Sequence, residues 1–326
     1  MESDRRSGLI DVVRGIAIVG VVLIHSGFQS RFDPPTLSVC AFLSVLFDWA
    51  VLAFFFLSGL LLDERQTFAV FLKKRTCSLL VPFVFYSLFY NLAFGIIQAL
   101  TDKHFFGYQW KVSLLWLGWF QSPAFQLYFL PYLFIIAVSL FCLCRLISPR
   151  WHGWMLIAGL AGMVALYQTI GWPEQSHGSE WTKLPLYFTA FLFGVVGRTI
   201  PRDRPKLPVI LLCVIGFGLA LVSHHMCLWS LFVPPLLFLA VSKVRSLTNS
   251  KLLQAIGRSS GAIYLWHTPI LLPTLTTLLA LSQVPAMVNF VSSVILTITF
   301  CILLRHAADG LFKRFLKIKM PASIIP

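Results

Sequence analysis

Apolar residues along this chain neither alternate with polar ones at a strand's period nor keep to one stripe of a helix. They run on in long blocks at residues 9–28, 39–62, 77–100, 127–147, 151–170, 184–200, 207–223, 226–242, 260–281 and 286–304. A block of about 17 to 25 such residues is what a helix needs to cross the hydrocarbon core of a bilayer. In hydrocarbon the backbone must satisfy its own hydrogen bonds, which a helix does within one segment. The pattern therefore predicts an all-α, polytopic integral membrane helical bundle with about ten transmembrane helices. A shorter Trp-rich run at 112–120 is read as interfacial or partly inserted.

Composition removes the soluble alternatives. The 326 residues are 58% apolar and only 12% charged, with 30 Phe and 10 Trp, whereas an ordinary soluble domain is about 25% charged. The net charge of +14 would suit nucleic acid if it were gathered into a patch,. Here the basic residues fall singly or in short clusters between apolar blocks, so no nucleic-acid partner is expected. With ten spans and the N-terminus inside, 21 of the 26 Lys and Arg lie on the cytoplasmic side; Arg31, Lys103, Lys111 and Lys183 lie outside and Arg14 lies within the first span. That bias places both termini in the cytoplasm. The first block is about 20 residues long and has no small-residue cleavage site, so it reads as a retained span rather than a signal peptide. The loops are short and carry no low-complexity tract, which makes residues 1–326 a single membrane domain with no appended soluble module. The seven cysteines, Cys40, Cys77, Cys142, Cys144, Cys213, Cys227 and Cys301, lie in or beside apolar segments with no CxxC pair. Neither disulfides nor a bound metal are expected from that spacing.

Titratable side chains at membrane depth cost several kcal/mol unless paired or wetted, which makes each a site candidate. Arg14, His25, Asp48 and His267 are such residues. Arg14 and His25 are 11 residues apart, about 16.5 Å along a helix and about 20° apart around it. They share one face. Asp11, one turn before Arg14, can pair with it. A snorkelling Arg14 is the plainer alternative, since it lies near the headgroups. His25 is a general-base candidate close to one end of its span, and Asp48, in the middle of the second, is either protonated or turned toward a partner such as His25. His267 is either part of the site or a hydrogen-bonder between helices. Lys73, Lys74 and Arg75 form a basic cluster that either sets topology beside anionic lipid or binds phosphate. Ser58 and Gly59 form a small pair where two helices can approach.

These polar residues come in an order that resembles the membrane acyltransferase 3 family. Asp11-Val12-Val13-Arg14-Gly15-Ile16-Ala17 with His25 is similar to its Arg, ten residues, His signature. Phe54-Phe55-Phe56-Leu57-Ser58-Gly59 resembles its FFxxSG element, and Lys73-Lys74-Arg75 leading to Leu79-Leu80-Val81-Pro82 resembles its basic segment ending in LLxP. Ile256-Gly257-Arg258-Ser259 with Ile263-Tyr264-Leu265-Trp266-His267 is similar to its late IGxxS and IYxxH element. The chain departs at Ser78, where many members carry a second arginine, and at Tyr128-Phe129-Leu130-Pro131-Tyr132, where a WFL segment followed by charges is common.

The resemblance implies an acyltransferase of a bacterial inner membrane. It would move an acyl group, acetyl above all, from cytosolic acyl-CoA to a hydroxyl of a cell-envelope polysaccharide or lipid-linked sugar. Acyl-CoA is then a donor substrate, with no resident cofactor, and the other partners are the glycan acceptor and membrane lipids. His25, Arg14 and Asp48 are the catalytic candidates, with Lys73, Lys74 and Arg75 for the donor's phosphates; Asp11, Ser58 and His267 complete the set. His25 serves either as base in a direct transfer or as acyl carrier in two steps. The rival class is a transporter or flippase for a lipid-linked sugar, with the same polar residues as its path. No symmetry between two halves of the chain favours that class.

The topology has a direct test. In a cysteine-free background, a cysteine introduced at Lys183 should react with an impermeant thiol reagent added outside intact cells, and one at Lys317 should not. The opposite pattern would invert the bundle.

Overall fold

The computed structural model describes residues 2–26, 32–101, 124–170, 180–199, 214, 216, 218 and 226–316. Every regular element among these residues is helical. In chain order the α-helices are α1 (Glu2–Ser26), α2 (Pro34–Leu46), α3 (Trp49–Leu60), α4 (Phe68–Arg75), α5 (Val81–Thr101), α6 (Phe129–Leu146), α7 (His152–Ile170), α8 (Leu184–Thr199) and α9 (Met226–Lys243). They continue with α10 (Arg245–Thr248), α11 (Lys251–Arg258), α12 (Ser260–Trp266), α13 (Leu272–Leu281) and α14 (Ala286–Leu316).

Among the described residues, six stretches are long and apolar enough to cross a membrane: Gly8–Ser26, Pro34–Leu60, Phe68–Leu100, Gln126–Leu146, Ser260–Leu281 and Ala286–Ala308. They coincide with six of the ten expected blocks. The blocks at 184–200 and 226–242 correspond to shorter apolar helices, Leu184–Arg198 and Leu228–Lys243, and the block at 151–170 to α7. Most of the block at 207–223 and all of the run at 112–120 lie outside the described residues. The outer surface is apolar: Phe42, Phe85, Leu100 and Leu146 are 65%, 61%, 80% and 82% exposed. Side chains of this kind are stable facing lipid and costly facing water. This is a multi-pass membrane protein.

Local sequence sets the helix ends. Asp33 accepts a hydrogen bond from the backbone N–H of Thr36 at 3.1 Å, and Pro34 opens α2 at a position where a missing N–H costs nothing,. Thr67 and Ser250 cap α4 and α11 the same way. The block at 39–62 is broken at Phe47-Asp48, whose N–H groups turn back to the carbonyls of Leu43 and Val45. A second break lies in the block at 260–281: Thr268 is extended (φ −125°, ψ 155°), as the residue before Pro269 is expected to be,. Tyr90 on α5 donates its hydroxyl to the Leu265 carbonyl beside that break. The backbone groups released by the proline thus find partners in neighbouring segments.

α1 is the hub, packed against α2, α3, α9, α11, α12 and α14. Two of the closest crossings are made by glycine. A Cβ at Gly257 would overlap the Asp11 carbonyl, and one at Gly15 would overlap the Leu253 carbonyl, so α1 and α11 meet backbone to backbone. Gly59 on α3 meets the Phe191 carbonyl on α8, and Gly194 on α8 meets the Phe56 carbonyl on α3. Small residues at such contacts are how membrane helices gain packing without a hydrophobic drive between them. Aromatic pairs fill in around them, with Phe55 stacked on Tyr187 (centroids 4.6 Å apart) and Phe71 on Phe141 (4.1 Å). Arg198 at the end of α8 ties the turn after α3, donating to the Leu62 carbonyl and pairing with Glu64.

The glycine crossings make an internal comparison possible. Gly257→Ala should lower the thermal midpoint in detergent, because the methyl would have to displace backbone and overpacking of this kind costs about 1–3 kcal/mol. Gly162→Ala in α7, where nothing lies within 4 Å of the added carbon, should leave the midpoint unchanged or raise it, since alanine is the better helix former by about 1 kcal/mol. Equal midpoints for the two variants would refute the α1–α11 contact.

Candidate active site

One cavity of about 450 Å³ runs between α1, α3, α4, α6 and α12. Arg14, Val21 and His25 line it along a single face of α1, as their spacing predicts. At one end it is bordered by Asp63, Gln66, Lys74, Arg75 and Ser78; Val51, Phe54, Ser58, Phe129 and Leu133 form walls, and Gln126, Ser260 and Tyr264 join His25 in the lining. Phe54 packs edge-on against Phe129 (centroids 6.0 Å), and Phe129 lies 5.4 Å from Tyr264.

The basic end follows from local sequence. α4 closes with Lys73, Lys74 and Arg75, and a π-helical turn at Thr76–Leu80 joins it to α5. Arg75 lies over the Phe71 ring at 5.4 Å and close enough to Arg14 for the two guanidinium groups to repel. Lys74 adds a third positive charge to the lining, against one carboxylate, Asp63, among the described lining residues. Like charges held around one space favour an anion between them.

The other end holds two histidines. His25 Nδ1 lies 2.8 Å from the Val21 carbonyl and 3.2 Å from His267 Nε2, with the rings 5.0 Å apart. His267 is fully buried, and its Nδ1 faces the carbonyls of Ile263 and Tyr264, both at 2.9 Å. Carbonyls only accept, so Nδ1 of His267 carries its proton and Nε2 is an acceptor. The Nδ1–H of His25 then has two acceptors before it, Val21 O and His267 Nε2, which makes Nε2 the basic nitrogen of His25. Those tautomers follow from the hydrogen-bond partners.

The site brings together five of the nine residues singled out from sequence: Arg14, His25, Ser58, Lys74 and Arg75 all line the cavity. His267 stands directly behind His25. Lys73 is exposed and outside the lining, because successive residues of α4 point in different directions. Asp48 is also exposed and outside the lining; the break at Phe47-Asp48 puts it in the turn between α2 and α3 instead of mid-helix. Asp11 makes its ion pair with Arg258 Nη1, at 4.0 Å across the glycine crossing. The expected partner Arg14, one turn away, remains within electrostatic reach, while its side chain contributes to the cavity wall.

Sequence reasoning passed over Gln126. It is 2% exposed, lines the cavity and donates its Nε2–H to the Thr268 carbonyl, while its backbone carbonyl accepts from the Tyr264 hydroxyl. Its Oε1 has no hydrogen-bond partner among the described residues. A buried acceptor on a cavity wall is suited to an N–H or O–H of a bound molecule. A glutamine at the start of an apolar block was the only signal, weaker than a charge. Among the described residues, Cys40, Cys77, Cys142, Cys144 and Cys301 are free thiols.

A search of curated proteins and of solved structures found no significant match. A family model described as an acyltransferase domain, that of the acyltransferase 3 family, matches residues 8–306, a stretch that takes in α1 with Arg14 and His25, the basic end of α4 and the His267 break. The chain belongs to the acyltransferase 3 family.

Proposed function

We propose that this acyltransferase takes its acyl group, acetyl above all, from cytosolic acyl-CoA and passes it to a hydroxyl of a cell-envelope polysaccharide or lipid-linked sugar at a bacterial inner membrane. One observation carries the reading: a single cavity is lined both by Arg14, Lys74 and Arg75 and by His25. The basic end suits the phosphates of CoA, since charge-assisted hydrogen bonds to phosphate are the strong kind. The pantetheine arm is thin enough to run along the wall that Phe54 and Phe129 form together, and its amide N–H groups are of the kind that Gln126 Oε1 can accept.

The chemistry then needs a base. The acceptor hydroxyl attacks the thioester carbonyl carbon as its proton passes to Nε2 of His25. A C–O bond forms and the carbonyl electrons move onto oxygen, where the Arg14 guanidinium and the Ser58 hydroxyl are the donors nearest in kind to what an oxyanion requires. Collapse breaks the C–S bond, and the proton on His25 Nε2 goes to the departing thiolate. The products are the O-acyl ester and CoA. His267 Nε2 accepts from the Nδ1–H of His25 throughout, orienting the ring and stabilising the imidazolium, as the third member of a nucleophile–base–orienter set does. In a two-step transfer the same Nε2 would carry the acyl group. The transporter reading is not favoured, because family membership points to group transfer.

His25→Ala should insert and fold yet lower turnover by at least about 10². His267→Ala should lower kcat with little change in either KM, and His267→Gln, which keeps an acceptor, should recover part of the loss. Arg14→Lys should be damaging where a snorkelling arginine would tolerate it. Near-wild-type turnover in purified His25→Ala would end the assignment.

Lys74→Gln and Arg75→Gln should each raise the KM for acyl-CoA at least about tenfold while leaving the acceptor KM nearly unchanged, and Lys73→Gln should do much less. Steady-state kinetics with both substrates varied decides this, and equal effects of all three substitutions would favour a role in topology alone.

A further inference from the structure

Away from the cavity, Glu64, Cys144 and His152 come together at the end of the bundle where α3, α6, α7 and α8 finish or begin. One ligand atom of each, a carboxylate oxygen, Sγ and a ring nitrogen, all lie within 4.8 Å of one another. Cys144, in the last turn of α6, is 3% exposed; His152, the first residue of α7, is fully buried. Neither ring nitrogen of His152 has a hydrogen-bond partner among the described residues. A buried imidazole with both nitrogens unsatisfied is unusual, because hydrogen bonding normally compensates the loss of water. This one sits beside a thiol and a carboxylate.

We infer that Glu64, Cys144 and His152 bind a divalent metal ion of the zinc class. Sulfur, imidazole nitrogen and a carboxylate oxygen together select zinc over magnesium or calcium, which take oxygen donors. In tetrahedral zinc sites neighbouring ligand atoms are roughly 3.4–3.6 Å apart, so the three side chains close by about 1 Å around the ion. As the S–Zn bond forms, the Cys144 thiol releases its proton to solvent, and His152 binds through a neutral nitrogen. Two negative ligands then balance the charge of the ion. Arg198 brings a cation to the cluster: it pairs with Oε1 of Glu64 and donates to the Leu62 carbonyl. It thereby holds the carboxylate in place and leaves Oε2 for the metal, the supporting role that outer-shell hydrogen bonds play in metal sites. Water completes the fourth position.

The ion would staple the turn after α3 to the α6–α7 junction. That turn also carries Asp63 and Gln66 of the cavity's basic end. Paired-cysteine spacing marks only the commoner zinc sites. A mixed set drawn from three segments far apart in sequence has no such signature.

The test uses the full chain, purified in detergent on a tag without histidines and without chelator. Elemental analysis should find about one zinc per chain in the wild type and background levels in Cys144→Ser and His152→Ala. Added zinc should raise the thermal midpoint of the chelator-stripped wild type and not that of Cys144→Ser. Cobalt should give the stripped wild type a thiolate-to-metal absorption band, which does not depend on any variant folding. Wild-type protein with metal content no higher than Cys144→Ser, no zinc-dependent rise in midpoint and no cobalt band would overturn the site.

Discussion

Hydrocarbon offers no hydrogen bonds, and the architecture follows from that constraint. The charged and titratable groups that this chain carries at membrane depth have to meet one another, a carbonyl or a wetted cavity. α1 bears three of them, Asp11, Arg14 and His25, and so cannot lie at the periphery. It sits at the centre, with Asp11 paired to Arg258, Arg14 on the cavity wall and His25 against His267. By contrast α5 exposes Phe85, Leu88, Leu92 and Leu100 on the outside.

Position and chemistry are coupled through glycine. Gly15 and Gly257 let α1 and α11 touch at their backbones, and α11 runs into α12, which ends at the His267 break. A bulkier residue at either crossing would move α12 away from α1 by about the width of a methyl group. The 3.2 Å contact between the two imidazoles leaves no room for that shift, since a hydrogen bond is lost well before 4 Å. Residues that look like packing elements in the sequence therefore also set the geometry of the His25–His267 pair. The same holds for Gly59, which follows Ser58 of the cavity and seats α3 on α8.

Much of the fold was legible because its signal is crude. Long apolar blocks mark spans regardless of neighbours, and the face shared by Arg14 and His25 follows from helix geometry alone. What sequence could not show was where an apolar block breaks. Asp48 looked deeply buried because the block at 39–62 reads as one continuous helix, and the turn at Phe47-Asp48 has no glycine or proline to announce it. Lys73 was grouped with Lys74 and Arg75 because adjacency in sequence suggests a cluster, but on a helix neighbours diverge by about 100°. Gln126 and the pairing of Asp11 with Arg258 depend on segments more than a hundred residues away, which no local pattern reports. The family resemblance compensated for some of this: it pointed to Tyr264 and His267, whose roles only the tertiary contacts make physical.

The electrostatic layout of the cavity supports a division of labour along its length. Positive charge is concentrated where Arg14, Lys74 and Arg75 meet, and it is only partly countered by Asp63. Among the described residues, those that line the cavity with His25 at this end, Tyr264, Gln126 and Ser260, are neutral, as is His267 behind it. A base surrounded by cations would be a poor proton acceptor, because the imidazolium would be repelled. About 16.5 Å of α1 separates Arg14 from His25, enough to keep that repulsion small while one extended chain still reaches both ends. An anionic head at the basic end and a neutral reacting centre beside His25 are thus compatible demands on a single ligand. A long molecule with phosphates at one end and a thioester at the other meets both.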